Sequence, residues 1–108
     1  MYKVIDNTIY ITRGDSAVLS CDITKKDGSK YTLQEGDVLE FTIKRNASTK
    51  EVVIHKVIED GVFKLEPSET EGLAYGTYKY DVQLTFADGS VDTIITPSDF
   101  VVLEEVTF

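Results

Sequence analysis

One histidine, His55, one cysteine, Cys21, and nineteen aspartates and glutamates are the side chains through which this chain would do acid–base or covalent chemistry. A Ser-His-Asp or Cys-His system needs its imidazole beside a nucleophile held on a rigid elbow. No Gly-x-Ser-x-Gly motif occurs, and His55 falls inside the ordinary β-rich run Val52–Ile58, so it reads as an exposed or half-buried strand histidine. Cys21 alternates with Leu19 and Ile23 on a face taken as inward. A buried thiol there behaves as a small hydrophobe with a raised pKa and is inert. A single cysteine also excludes an intramolecular disulfide framework and any Cys-rich zinc site. A calcium loop gathers acidic oxygens at alternate positions, as in D-x-[DN]-x-[DN]-G. Here Glu59-Asp60, Glu69 with Glu71, and Glu104-Glu105 are scattered pairs at turns and strand ends, and they read as solvating charge. No catalytic residue, cofactor or metal ligand is expected.

Three further groupings touch on recognition. Arg13-Gly14-Asp15 spells a tripeptide that some adhesion receptors read, but it fits a strand–turn–strand transition equally well. Asn46-Ala47-Ser48 is a formal glycosylation acceptor, meaningful only in a eukaryotic secretory setting. Six tyrosines (Tyr2, Tyr10, Tyr31, Tyr75, Tyr78 and Tyr80) would suit a sugar-stacking platform, yet Tyr78 and Tyr80 alternate with the core and the chain has no tryptophan. Lys and Arg total 11 against 19 acidic residues, a net charge of −8, which argues against a phosphate backbone or an anionic membrane as partner. Gly-rich phosphate loops and basic patches are absent from the sequence.

The elements that would position these residues are strands. Tyr78, Tyr80, Val82, Leu84 and Phe86 alternate with Thr77, Lys79, Asp81, Gln83 and Thr85, which puts the large side chains on one face of an extended segment. Leu39, Phe41 and Ile43 repeat the pattern, as do Leu19, Cys21 and Ile23. Further β-rich runs are Thr8–Thr12, Val52–Ile58, Val62–Glu66, Val91–Thr96 and Phe100–Leu103. Asp27-Gly28, Asp60-Gly61 and Asp88-Gly89 supply residues that tolerate positive φ, and Asp60-Gly61 is the best-placed two-residue hairpin. Gly14-Asp15 and Gly36-Asp37 mark further reversals. Ser68, Glu71 and Gly72 predict one capped helical turn near 68–72.

The 108 residues suffice for one domain, residues 1–108, with 42% apolar side chains to build its core. Seven to eight mostly antiparallel strands with turn signals every ~8–12 residues predict an all-β, immunoglobulin-like β-sandwich. Tyr78, near the start of the sixth strand, is placed to bond back to the preceding corner, as such sandwiches do. A small β-barrel is the structural alternative. No stretch reaches the length of an apolar membrane span, and Asp6-Asn7 interrupts the N-terminal apolar residues. The expectation is cytoplasmic synthesis without general secretory export.

Three blocks, in order, carry a resemblance: Ile9-Tyr10-Ile11-Thr12-Arg13-Gly14-Asp15-Ser16, Gly36-Asp37-Val38-Leu39-Glu40-Phe41-Thr42-Ile43-Lys44, and Pro67 to Thr93 with its Tyr75-Gly76-x-Tyr78-x-Tyr80-Asp81-Val82 core. A closing Phe100-x-Val102-x-Glu104-x-Val106-Thr107 follows. Together they resemble small immunoglobulin-like virion proteins of tailed phages and prophages of Gram-positive bacteria, a group that includes the N-terminal domain of siphophage baseplate upper proteins. The resemblance implies a non-enzymatic virion module that docks into a tail, baseplate or head through protein–protein contacts. Its partners would be other phage structural proteins or copies of itself, with no nucleic acid and no membrane, and it would be oligomeric in the assembly. The candidate docking strands are Thr8–Thr12 and Phe100–Val106, with outward apolar side chains at Tyr10, Val101 and Leu103; the alternative, which is favoured, is that each strand simply completes its own sheet. An immunoglobulin-like adhesion or carbohydrate-binding module of a bacterial surface system is the alternative.

Overall fold

The alternating segments resolve as strands whose buried residues share one face. A computed structural model describes residues 2–25, 27–46 and 51–104. Within them the strands are β1 (Tyr2–Ile5), β2 (Thr8–Thr12), β3 (Ala17–Ser20), β4 (Ile23–Thr24), β5 (Lys30–Tyr31), β6 (Val38–Lys44), β7 (Val52–Ile58), β8 (Val62–Leu65), β9 (Gly76–Thr85) and β10 (Val91–Leu103). A single helical turn, α1 (Pro67–Thr70), lies between β8 and β9. In β9 the side chains of Tyr78, Tyr80, Val82 and Leu84 are buried, and in β6 those of Leu39, Phe41 and Ile43. Both therefore present one apolar face, as period two requires.

Six strands form one sheet in the order β1-β2-β10-β9-β6-β7. All neighbours in it run antiparallel except β2 and β10, which pair in parallel with Ile9 beside Phe100 and Ile11 beside Val102. The opposing layer is thinner: β3 pairs with β8, and the short β4–β5 ribbon continues it. Phe41 of the large sheet meets Phe63 of β8 across the interior at 4.5 Å between ring centroids, and Tyr80 and Phe100 flank Phe41 at 5.2 and 6.5 Å. The Tyr78 hydroxyl donates to the Ala74 carbonyl at 2.9 Å, forming the expected corner. The fold is an immunoglobulin-like β-sandwich.

Several local features differ from the sequence reading. The ribbon β1 was not expected; it returns on β2 through Asp6-Asn7, whose φ angles of 47° and 69° make a two-residue reversal like that of Asp60-Gly61, at 54° and 74°. The expected run Leu19–Ile23 divides into β3 and β4, while the runs Val91–Thr96 and Phe100–Leu103 join as β10 through register shifts at Thr93/Ile95 and Ile95/Ser98. The helical turn begins one residue before the predicted 68–72 and is capped by Glu66. Pro67 supplies the fixed φ of a first helical residue, extended Glu66 precedes it, and the Glu66 N–H donates to Glu69 Oε1 at 2.8 Å.

Tyr10 and Val101, two of the three candidate docking residues, do not lie on sheet edges. β1 covers β2, and Phe100–Val102 of β10 is held between β2 and β9, while Leu103 pairs with Thr12 of β2 alone. Tyr10 and Val101 stand side by side, half-buried, in mid-sheet. Residues 105 and 106 of the expected terminal strand lie outside the described residues.

Candidate functional site

The side chains that could do chemistry are kept apart by the fold. Cys21 is buried between the layers, and burial, reinforced by the charge of Asp22, pushes its thiol pKa up. His55 sits on the other side of the large sheet, where its Nε2 is 2.6 Å from Glu40 Oε2. The sheet's register explains that pair: Glu40 and Thr42 of β6 stand opposite Val57 and His55 of β7, all on the outer face. A Cys–His couple therefore cannot form. Among the described residues, no group of three or more His, Cys, Asp or Glu side chains converges as a metal site would.

Arg13-Gly14-Asp15 is built into the β2–β3 turn. Gly14, at φ 85°, donates its N–H to Thr70 Oγ1 at 3.0 Å, and the Thr70 hydroxyl reaches the Asp15 carbonyl at 3.1 Å. The Arg13 guanidinium stacks 4.3 Å from the Tyr75 ring centroid, and the Arg13 N–H donates to Leu103. Each residue of the tripeptide is thus engaged in joining β2, α1 and β10. Of the formal glycosylation triplet, Ala47 and Ser48 lie outside the described residues.

The tyrosines are distributed rather than arrayed. Tyr78 and Tyr80 are core residues. The Tyr80 hydroxyl donates to the Asn7 carbonyl in the β1–β2 turn, and burial, with the nearby Cys21, raises its pKa to about 12. Tyr31 packs edge-on against Phe86 and donates to Asp37 Oδ2 at 2.5 Å; that bond pushes the Tyr31 pKa up and holds Asp37 below the usual carboxylate range. Beside Tyr31 is a half-open recess of about 250 Å³, with Ile23, Leu33 and Leu39 among its apolar lining and Asp22, Lys30 and Asp60 at its polar positions. Lys30 lies 3.6 Å from Asp22 there, both well exposed.

The surface best suited to recognition is the open edge at β1. All four of its residues are exposed; Val4 and Ile5 are each 51% exposed and Tyr2 40%. Tyr2 donates its hydroxyl to the Val18 carbonyl of β3 at 3.0 Å, tying β1 to the second layer at a residue that is itself 54% exposed. Exposed apolar side chains on an unpaired strand offer burial together with backbone hydrogen bonds. Sequence reasoning passed over this strand because its side chains show no burial alternation. The usable signal was Asp6-Asn7, two residues tolerant of positive φ between two β-rich runs.

No protein-family model matches the chain, and no curated protein is significantly similar to it.

Proposed function

We propose that this protein is a non-enzymatic structural module of a phage or prophage particle. Made in the bacterial cytoplasm, it joins a tail, baseplate or virion surface through protein–protein contacts with other phage structural proteins or with copies of itself. The observation that carries this reading is the β1 edge, where Tyr2, Val4 and Ile5 are exposed along a strand whose second side has no partner strand among the described residues. The net charge of −8 keeps free copies soluble before assembly and disfavours nucleic acid or an anionic membrane as the docking surface. The ordered blocks from Ile9 to Thr93 supply the phage part of the reading through their resemblance to immunoglobulin-like virion proteins.

Purified protein, alone and mixed with candidate tail and baseplate proteins, tests this by light scattering and electron microscopy. Rings, tubes or a stoichiometric complex are the expected outcome. A chain that joins none of them and instead binds a defined glycan, through the recess containing Tyr31, Asp22 and Asp60, would replace this reading with that of a carbohydrate-binding module.

A further inference from the structure

The two edges of the six-stranded sheet are not equivalent. β7 carries devices that oppose strand addition: Lys56 stands at the inward-phase position opposite Phe41 and is held 2.7 Å from Glu69 Oε1, and the register breaks where Lys44 meets Val52. The part of β10 that extends beyond β2 is interrupted by Pro97, which has no N–H, and by two register shifts. β1 has none of these. Its register against β2 is continuous from Tyr2 to Ile5, it contains no proline, and its one charge, Lys3, lies on the outer face beside Tyr10.

The hydrogen-bond phase of β1 follows from its turn. In a two-residue hairpin the flanking residues, here Ile5 and Thr8, form the bonded pair, and bonded pairs then alternate. Lys3 and Ile5 thus spend their N–H and C=O groups on β2, whereas Tyr2 and Val4 aim theirs at the open side.

We infer that β1 pairs antiparallel with β1 of a second copy, across a two-fold axis at Val4, as the first contact of the assembly proposed above, and the inference rests on that reading. A two-fold axis normal to the sheet keeps inner and outer faces continuous, so outer residues must oppose outer residues. Pairing Lys3 with its own copy would set like charges opposite each other, which is destabilising. Centring on Val4 avoids this. Val4 then exchanges both backbone bonds with its counterpart, Lys3 stands opposite Ile5 of the other copy, and Tyr2 opposite Asp6.

Charge supports this occupant. β1 has its cation near the N-terminal end and meets Asp6 at the C-terminal end, so antiparallel self-pairing sets the positive end of each strand beside the negative end of the other. Elsewhere, two copies of a −8 chain repel. The second layers fall on the same side of the sheet.

Sedimentation of the full chain over a range of concentrations tests the pairing, with Val4→Pro as the key variant. Proline there removes an N–H that the monomer does not use, so the fold and its thermal unfolding should persist while the concentration-dependent dimer disappears. Independently, a double Lys3→Cys/Ile5→Cys variant should form an intermolecular disulfide under mild oxidation, whereas Lys3→Cys alone should not. The native Cys21 is buried, so the parent chain gives the background. A parent chain that stays monomeric, or a dimer that survives Val4→Pro, overturns the inference. If that monomer still joins tail proteins stoichiometrically, self-pairing is wrong and the assembly reading stands. If the dimer behaves as described but no tail protein takes it up, the assembly reading fails and the pairing survives.

Discussion

The N–H of Gly14 donates to the side-chain oxygen of Thr70 at 3.0 Å, joining residues 56 positions apart. Thr70 is the buried polar residue of the interior among the described residues, with no exposed surface, and its hydroxyl also reaches the Asp15 carbonyl. One hydroxyl thereby fastens the β2–β3 turn to the helical turn that carries the chain from β8 to β9. Because the turn leads directly into Ala17 and Leu19 of β3, its position helps to set how the thin second layer meets the large sheet.

Replacing Thr70 with Val keeps the shape and removes both of these bonds, together with the hydroxyl's longer contact to the Pro67 carbonyl at 3.4 Å. A buried donor left without its partner costs about 1–3 kcal/mol, and the part-buried Gly14 N–H falls toward the lower end. Urea unfolding of Thr70→Val should show that loss as a lower midpoint with an unchanged slope, whereas Thr70→Ser should recover most of it. Equal stability of the Val variant and the parent would show that the turn is held by its other contacts.

Alkaline pH should probe the interior through Tyr80. Burial raises its pKa from 10.0 to about 12, and Cys21 is likewise raised from 9.0. Both groups hold their protons more tightly when folded. Their stabilising contribution is therefore fully present below the unfolded values and is lost as pH rises, for Tyr80 between about 10 and 12. The whole Tyr80 contribution is on the order of 2–3 kcal/mol. Tyr80→Phe loses the bond to Asn7, so it should be less stable at neutral pH, but its stability should fall less steeply above pH 10. Tyr31, also raised, remains in both proteins and cancels in the comparison. Parallel curves for parent and variant would contradict the assignment.

What could be read from the residues followed from how completely one face is buried. β6 and β9 lie in mid-sheet beneath the second layer, so alternation in their sequences is strong, and Tyr78 was correctly placed at its corner. Asp60-Gly61 was legible because its geometry is local. β1 was not legible, since all four of its side chains are exposed and nothing enforces a pattern. That omission displaced the candidate site: with β1 unseen, β2 took the place of the edge, and Tyr10 was assigned to a surface that another strand covers. The role of Thr70 was equally hidden, because its partner Gly14 comes near only through the tertiary fold.

Two glycines with the same backbone angle separate local strain from packing. Gly28 and Gly36 both adopt φ 89°, a region costing an ordinary residue about 1–2 kcal/mol. A side-chain carbon on Gly28 would meet nothing within 4 Å among the described residues, whereas on Gly36 it would lie 2.6 Å from Ala87 Cβ. Gly36 also stands beside Asp37, whose carboxylate accepts bonds from Tyr31 and the Gln34 N–H, so a displaced turn would disturb that pair as well. Gly28→Ala should therefore lose only the strain, while Gly36→Ala should lose about 1–3 kcal/mol more through overpacking. Adding Ala87→Gly to Gly36→Ala removes the opposing carbon and should bring the cost back toward that of Gly28→Ala. Denaturant midpoints of the four proteins measure this. If Gly28→Ala and Gly36→Ala are destabilised equally, the contact between the Gly36 turn and Ala87 yields without cost, and strain alone governs both sites.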